Sequence, residues 1–118
     1  MLTTRMVGIK EFTKADTPVA VIALEPSELA GRRGLRFRSA YDDLDTLAFA
    51  VLTLPDGEEV ALVRHRNASR PGTELLVAHD AQAVRSLVLT TLQWLDLSQG
   101  DVSWMRDDVP ASQGYRTS

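Results

Sequence analysis

His65 and His79 are the two histidines of this 118-residue chain, and with no cysteine present they bound what acid–base or metal chemistry it can offer. Paired as neighbouring strands, they fall about five strand positions apart, roughly 16 Å at the rise of an extended chain, and point to opposite faces. No two histidines lie at i, i+4, and no histidine–carboxylate group has the spacing of a zinc site. The sequence therefore gives no metal site and no cofactor. His79-Asp80 reads as a helix start, where a short carboxylate accepts a bond from a free backbone N–H. An enzyme would have to draw on a pairing such as His65 with Glu74, and the reading leans away from catalysis because no nucleophile, base and orienting group can be named together.

The carboxylates gather at Asp42-Asp43-Asp45, Glu58-Glu59 and Asp107-Asp108. The first two groups sit in or beside expected turns, where solvated carboxylates are ordinary, and Asp42 to Asp45 lacks the spacing and glycine of a calcium loop. Gly31-Arg32-Arg33-Gly34 is neither a phosphate-cradling loop nor a dinucleotide fingerprint.

Arginine is the more suggestive residue. Lysine occurs only at Lys10 and Lys14, so nearly all positive charge is carried by forked, planar guanidinium groups. Arg36, Arg38, Arg64, Arg66 and Arg70, with Arg32-Arg33 nearby, come from segments that strand pairing brings together around Phe49. Such a group suits a carboxylate, a phosphate or an acidic partner through bidentate bonds and ring stacking. The competing reading is a set of surface ion pairs with Glu74, Glu58, Glu59 and the Asp42 group, each worth little.

These residues need elements to position them. Asp56-Gly57 between two apolar runs predicts a hairpin of Thr46–Leu54 with Glu58–Arg66, turning on a two-residue centre. A loop at 67–72 leads to a third strand, Thr73–Ala78. A helix is expected from Asp80 to about Leu97, with Val84, Leu87, Val88, Thr91, Leu92 and Leu95 on one buried stripe and Gly100 beyond its end. Earlier in the chain, Val7–Phe12, Val19–Leu24 and Gly34–Tyr41 read as strands and Pro26–Gly31 as a helical turn. Val102–Met105 reads as a short edge strand. Strands in runs followed by one helix give an α+β fold: a mainly antiparallel sheet of about five or six strands with one long C-terminal helix on one face. Residues 1–105 are expected to form a single domain and 106–118 a mobile tail.

A symmetric two-residue turn sets Phe49 opposite Arg64 and Val51 opposite Leu62. One face then holds Ala48, Ala50, Leu52, Ala61, Val63, Leu76, Ala78, Leu35 and Phe37 beneath the helix. The other holds Leu47, Phe49, Val51, Leu62, Leu75 and Val77, ringed by arginines. An apolar face of that size needs a cover, from the N-terminal strands or from another chain. Trp94 and Trp104 are expected to pack together and close the core.

With 44% hydrophobic and 25% charged residues, the composition is that of an ordinary globular domain. The longest apolar runs are strand-sized, too short to cross a bilayer, and no secretory signal opens the chain, so a cytoplasmic protein without a membrane partner is expected. A net charge of −3 disfavours, without forbidding, nucleic-acid binding. The leading expectation is a non-catalytic interaction or regulatory module, a homodimer joined through the Phe49 face or a binder of another protein. The alternative is an anion- or nucleic-acid-binding domain using the arginines.

Overall fold

The computed structural model describes residues 13–41, 46–68 and 70–106. Its elements in order are strand β1 (Ala15–Ile22), the single-turn helix α1 (Pro26–Leu29), β2 (Arg38–Tyr41), β3 (Thr46–Thr53), β4 (Glu59–His65), β5 (Thr73–Ala78), helix α2 (Val84–Trp94) and β6 (Val102–Met105). The strands form one antiparallel sheet in the order β2-β3-β4-β5-β1-β6. The expected strand Val7–Phe12 and the expected tail beyond Arg106 lie outside the described residues. No described helix is long and apolar enough to cross a membrane.

The hairpin forms where Pro-Asp-Gly stands, but by a different turn. Gly57 N–H donates to the Leu54 carbonyl at 2.8 Å, and Leu54 N–H donates to Glu58 O at 2.8 Å. Only Gly57 takes positive φ, at 91°. This is a type I turn with Pro55 at its second position, followed by a left-handed glycine: a three-residue loop with a bulge. The extra loop residue moves the pairing by one. Phe49 faces Val63, Val51 faces Ala61, and Ala48 faces Arg64.

That single step turns over β4 and β5 relative to the expected face assignment, because side chains alternate along a strand. Leu62, Leu75 and Val77 lie under α2, in one core with Val60, Ala50, Leu52, Ile22, Leu29 and Leu35. Leu47, Phe49 and Val51 lie on the opposite side, with Ala61, Val63, Leu76, Ala15 and Ala40. The six proposed interface residues are thus divided between two faces. All but Val51 are buried within the single chain, Phe49 to 1% exposure, so they do not make one open docking surface.

Helix α2 buries Leu87, Val88, Thr91 and Leu92 along the expected stripe. It is shorter than 80–97, at eleven residues. At its start, Ala81 N–H bonds to Ala78 O at 3.0 Å, so Asp80 belongs to a turn off β5, and the cap position is Ala83. At its end, Leu97 N–H reaches Leu92 O at 2.8 Å and Asp96 N–H reaches Gln93 O at 3.0 Å. These are the paired bonds of a Schellman stop, with Asp96 at φ 64° in the position glycine usually takes. Arg32 Nη1 and Arg33 Nε then donate to the Leu95 and Trp94 carbonyls, both at 2.9 Å, putting two cations where the helix dipole is negative. The Gly31–Gly34 loop serves the helix end.

β1 is an interior strand, between β5 and β6, despite Pro18. The register shifts between Pro18 and Ala20, so the residue lacking an N–H sits at a bulge, where a ladder bond is already interrupted.

Candidate functional site

The outer face, opposite α2, ends in a groove of about 510 Å³ lined by Pro18, Val21, His65, Asn67, Ala68, Arg70, Glu74 and Trp104. Four strands and one loop supply it. β4 ends at His65 as β5 begins, and Glu74 pairs with Val63, placing Glu74 on the outer face. Val21 pairs with both Glu74 and Trp104, which carries the groove onto the edge strand β6.

The loop between β4 and β5 is tied down before it presents anything. Arg64 Nη1 donates to the carbonyls of Arg70 and Gly72, at 2.5 and 3.0 Å, and its Nε meets Glu25 Oε1 at 3.4 Å. Glu25 Oε2 accepts the Gly72 N–H at 2.8 Å, and Thr73 Oγ1 donates to Leu24 O at 2.7 Å. Gly72 takes φ 103° and runs so close to β1 that a Cβ there would lie 2.3 Å from Ile22 O. With its backbone held by Arg64, Arg70 is placed over Trp104, its guanidinium carbon 5.6 Å from the ring centroid.

A guanidinium over an indole is attracted by the ring's π face and can still offer its N–H fork to a carboxylate. Among the described residues, Arg70 has no carboxylate partner. Trp104 is 38% exposed; it and Tyr41 are the large hydrophobic side chains left open among the described residues, one on each edge strand. Across the groove, His65 Nδ1 lies 3.8 Å from Glu74 Oε1. The structure therefore does bring His65 and Glu74 together. The described lining residues add no hydroxyl or thiol to this pair.

The expected arginine cluster does not assemble. Arg64, opposite Ala48, lies on the other face from Phe49 and is committed to Glu25 and the loop. Arg38 pairs with Phe49 as expected, but on edge strand β2, with β3, β4, β5 and β1 between it and β6. Arg36 is exposed ahead of β2, and Arg66, also exposed, follows β4 with its N–H on Thr46 O at 2.9 Å. Of the five candidates, Arg70 alone lines the groove. Comparison with protein-family models, curated proteins and solved structures finds no match to this chain. The functional reading rests on the site.

Sequence reasoning missed Trp104 as a site residue. Trp94 packs on the core beneath the sheet with Arg33 6.0 Å over its ring, while Trp104 stands on the outer face, so the two tryptophans do not close a common core. His79 lies at the far end of β5, 3.5 Å from Asp16 Oδ2, away from the groove. Among the described residues no group of three or more histidine, aspartate and glutamate side chains is arranged to hold a metal ion.

Proposed function

We propose that this chain is a binding module that takes a carboxylate-bearing ligand in the groove between Arg70, Trp104 and the His65–Glu74 pair. The observation that supports it is the Arg70 guanidinium, 5.6 Å from the ring centroid of an exposed indole and with no acidic partner among the described residues. Pro18, Val21 and Ala68 give the groove an apolar lining for the rest of the ligand. One guanidinium beside the Glu74 carboxylate matches a monoanion better than a phosphate dianion, which calls for more positive charge than this groove holds. A single stacking aromatic likewise suits a small ligand or one side chain better than a nucleic-acid strand, which uses several.

The reading keeps the interaction-module class and moves its contact surface from the Phe49 face to the β6 edge. A cytoplasmic setting belongs to the same proposal, in keeping with the absence of cysteine. Calorimetric titration at low salt against carboxylates, phosphates and short oligonucleotides tests it. Carboxylates should bind, Arg70→Ala should abolish the heat, and Arg36→Ala should leave it intact. A phosphate or oligonucleotide preference that survives Arg70→Ala would refute it.

A further inference from the structure

The groove opens directly onto a sheet edge. Trp104 pairs with Val21, and Arg106 N–H donates to Val19 O at 2.9 Å. Antiparallel strands alternate the direction of their backbone groups, so the N–H and C=O groups of Met105 point away from β1, while Ser103 is the extra residue at the register shift between Val21 and Ile22 and has no partner of its own on β1. Neither residue makes an outward backbone bond to any described residue, and Ser103 Oγ turns inward to Val21 O at 3.3 Å. An edge with outward donors and acceptors is a template for one more strand.

Resting on the carboxylate reading above, we infer that the ligand is an extended acidic peptide segment that adds to the sheet as a strand along Ser103–Met105. Its backbone pairs with the open edge, and one aspartate or glutamate side chain crosses the rim onto Arg70. Strand addition of this kind draws affinity from main-chain bonds and selectivity from the pockets that alternate side chains enter. Here the pocket is already built and faces the side on which an outward-facing residue of the added strand would project. Charge complementarity selects the occupant: Arg70 stands at the rim with no carboxylate partner among the described residues, while the groove's own carboxylate, Glu74, is turned to His65.

The test uses amide NMR of the full chain with four probes. They are N-acetyl-aspartate amide, a blocked valine–threonine peptide with one central aspartate, its asparagine counterpart, and the aspartate peptide N-methylated at alternate residues. The methylated peptide removes the added strand's donors without altering the protein. The aspartate peptide should bind about tenfold more tightly than N-acetyl-aspartate amide, shifting the Ser103 and Met105 amides, and both other peptides should lose about that factor. Equal binding of the peptide and the small amide, with the two amides unmoved, would overturn strand addition and leave the carboxylate site standing. Indifference to aspartate or to N-methylation would overturn the inference, as would edge shifts that follow protein concentration alone, since a second copy would then hold the edge. No binding by any probe would remove both the inference and the carboxylate reading.

Discussion

Glu25 and Arg64 meet at 3.4 Å, and that contact joins the end of β1 to the loop that carries Arg70. Both side chains also bond to Gly72, the carboxylate to its N–H and the guanidinium to its carbonyl. Arg64 is therefore a positioning residue, and its loss should register first as stability. Arg64→Ala is expected to cost about 1–2 kcal/mol in urea unfolding, because two carbonyls and a partly exposed carboxylate lose their donor. Arg70→Ala, which removes an exposed side chain, should stay within about 0.5 kcal/mol of the parent. Equal losses would show that the two arginines do not have separate roles.

Gly72 makes a sharper test of the same junction. A methyl group at this position meets the Ile22 carbonyl at 2.3 Å while the backbone sits at φ 103°. Gly72→Ala is expected to cost about 3 kcal/mol or more, combining overpacking with left-handed strain. Gly57→Ala, at φ 91° with open space around it, should cost about 1 kcal/mol. Thermal unfolding of the two variants should rank them in that order.

Phe49 lies in the outer core against Val63 and Ala61 rather than beside Arg64. Phe49→Asp should therefore unfold the chain or destabilise it by about 3 kcal/mol or more, since it buries a carboxylate among apolar side chains. A stable, folded Phe49→Asp protein in circular dichroism and urea titration would place that side chain at an open surface, contrary to its 1% exposure.

The Asp16 carboxyl is held below its ordinary range. A hydrogen bond from Thr17 Oγ1 at 3.0 Å, opposed by some desolvation and aided by His79, holds its carboxyl below the usual 3.8. A depressed carboxyl stabilises the fold at pH above its unfolded value and loses that contribution as pH falls through the folded value. Acid titration of stability should be shallower below 3.8 in Asp16→Asn than in the parent. The group is partly exposed, so the difference is small and should shrink in high salt.

The hairpin, the β5 span, the edge strand β6 and the buried stripe of α2 were legible in the sequence, because each depends on local chemistry or on periodicity. Register was not. Asp56-Gly57 suggests a two-residue turn, whereas Pro55 fits the second position of a type I turn, and this one residue exchanges the faces of β4 and β5. The error passed directly into the site: it put Arg64 beside Phe49 and assembled a cluster that the sheet divides. The ends of α2 escaped for a related reason, since Asp96 in a left-handed conformation does a stop's work without glycine. His65 with Glu74 was within reach because they close adjoining ends of paired strands. Trp104 was not, because its exposure depends on which face of which edge strand it occupies.

The most direct test of the carboxylate site is the Trp104 indole N–H resonance followed during titration with N-acetyl-aspartate amide, in the parent, Arg70→Lys and Arg70→Ala. The account predicts a saturable shift in the parent, binding about tenfold weaker in Arg70→Lys, which keeps the charge and loses the fork, and no saturable shift in Arg70→Ala. A titration with the same midpoint in all three proteins, or none in the parent, would contradict it.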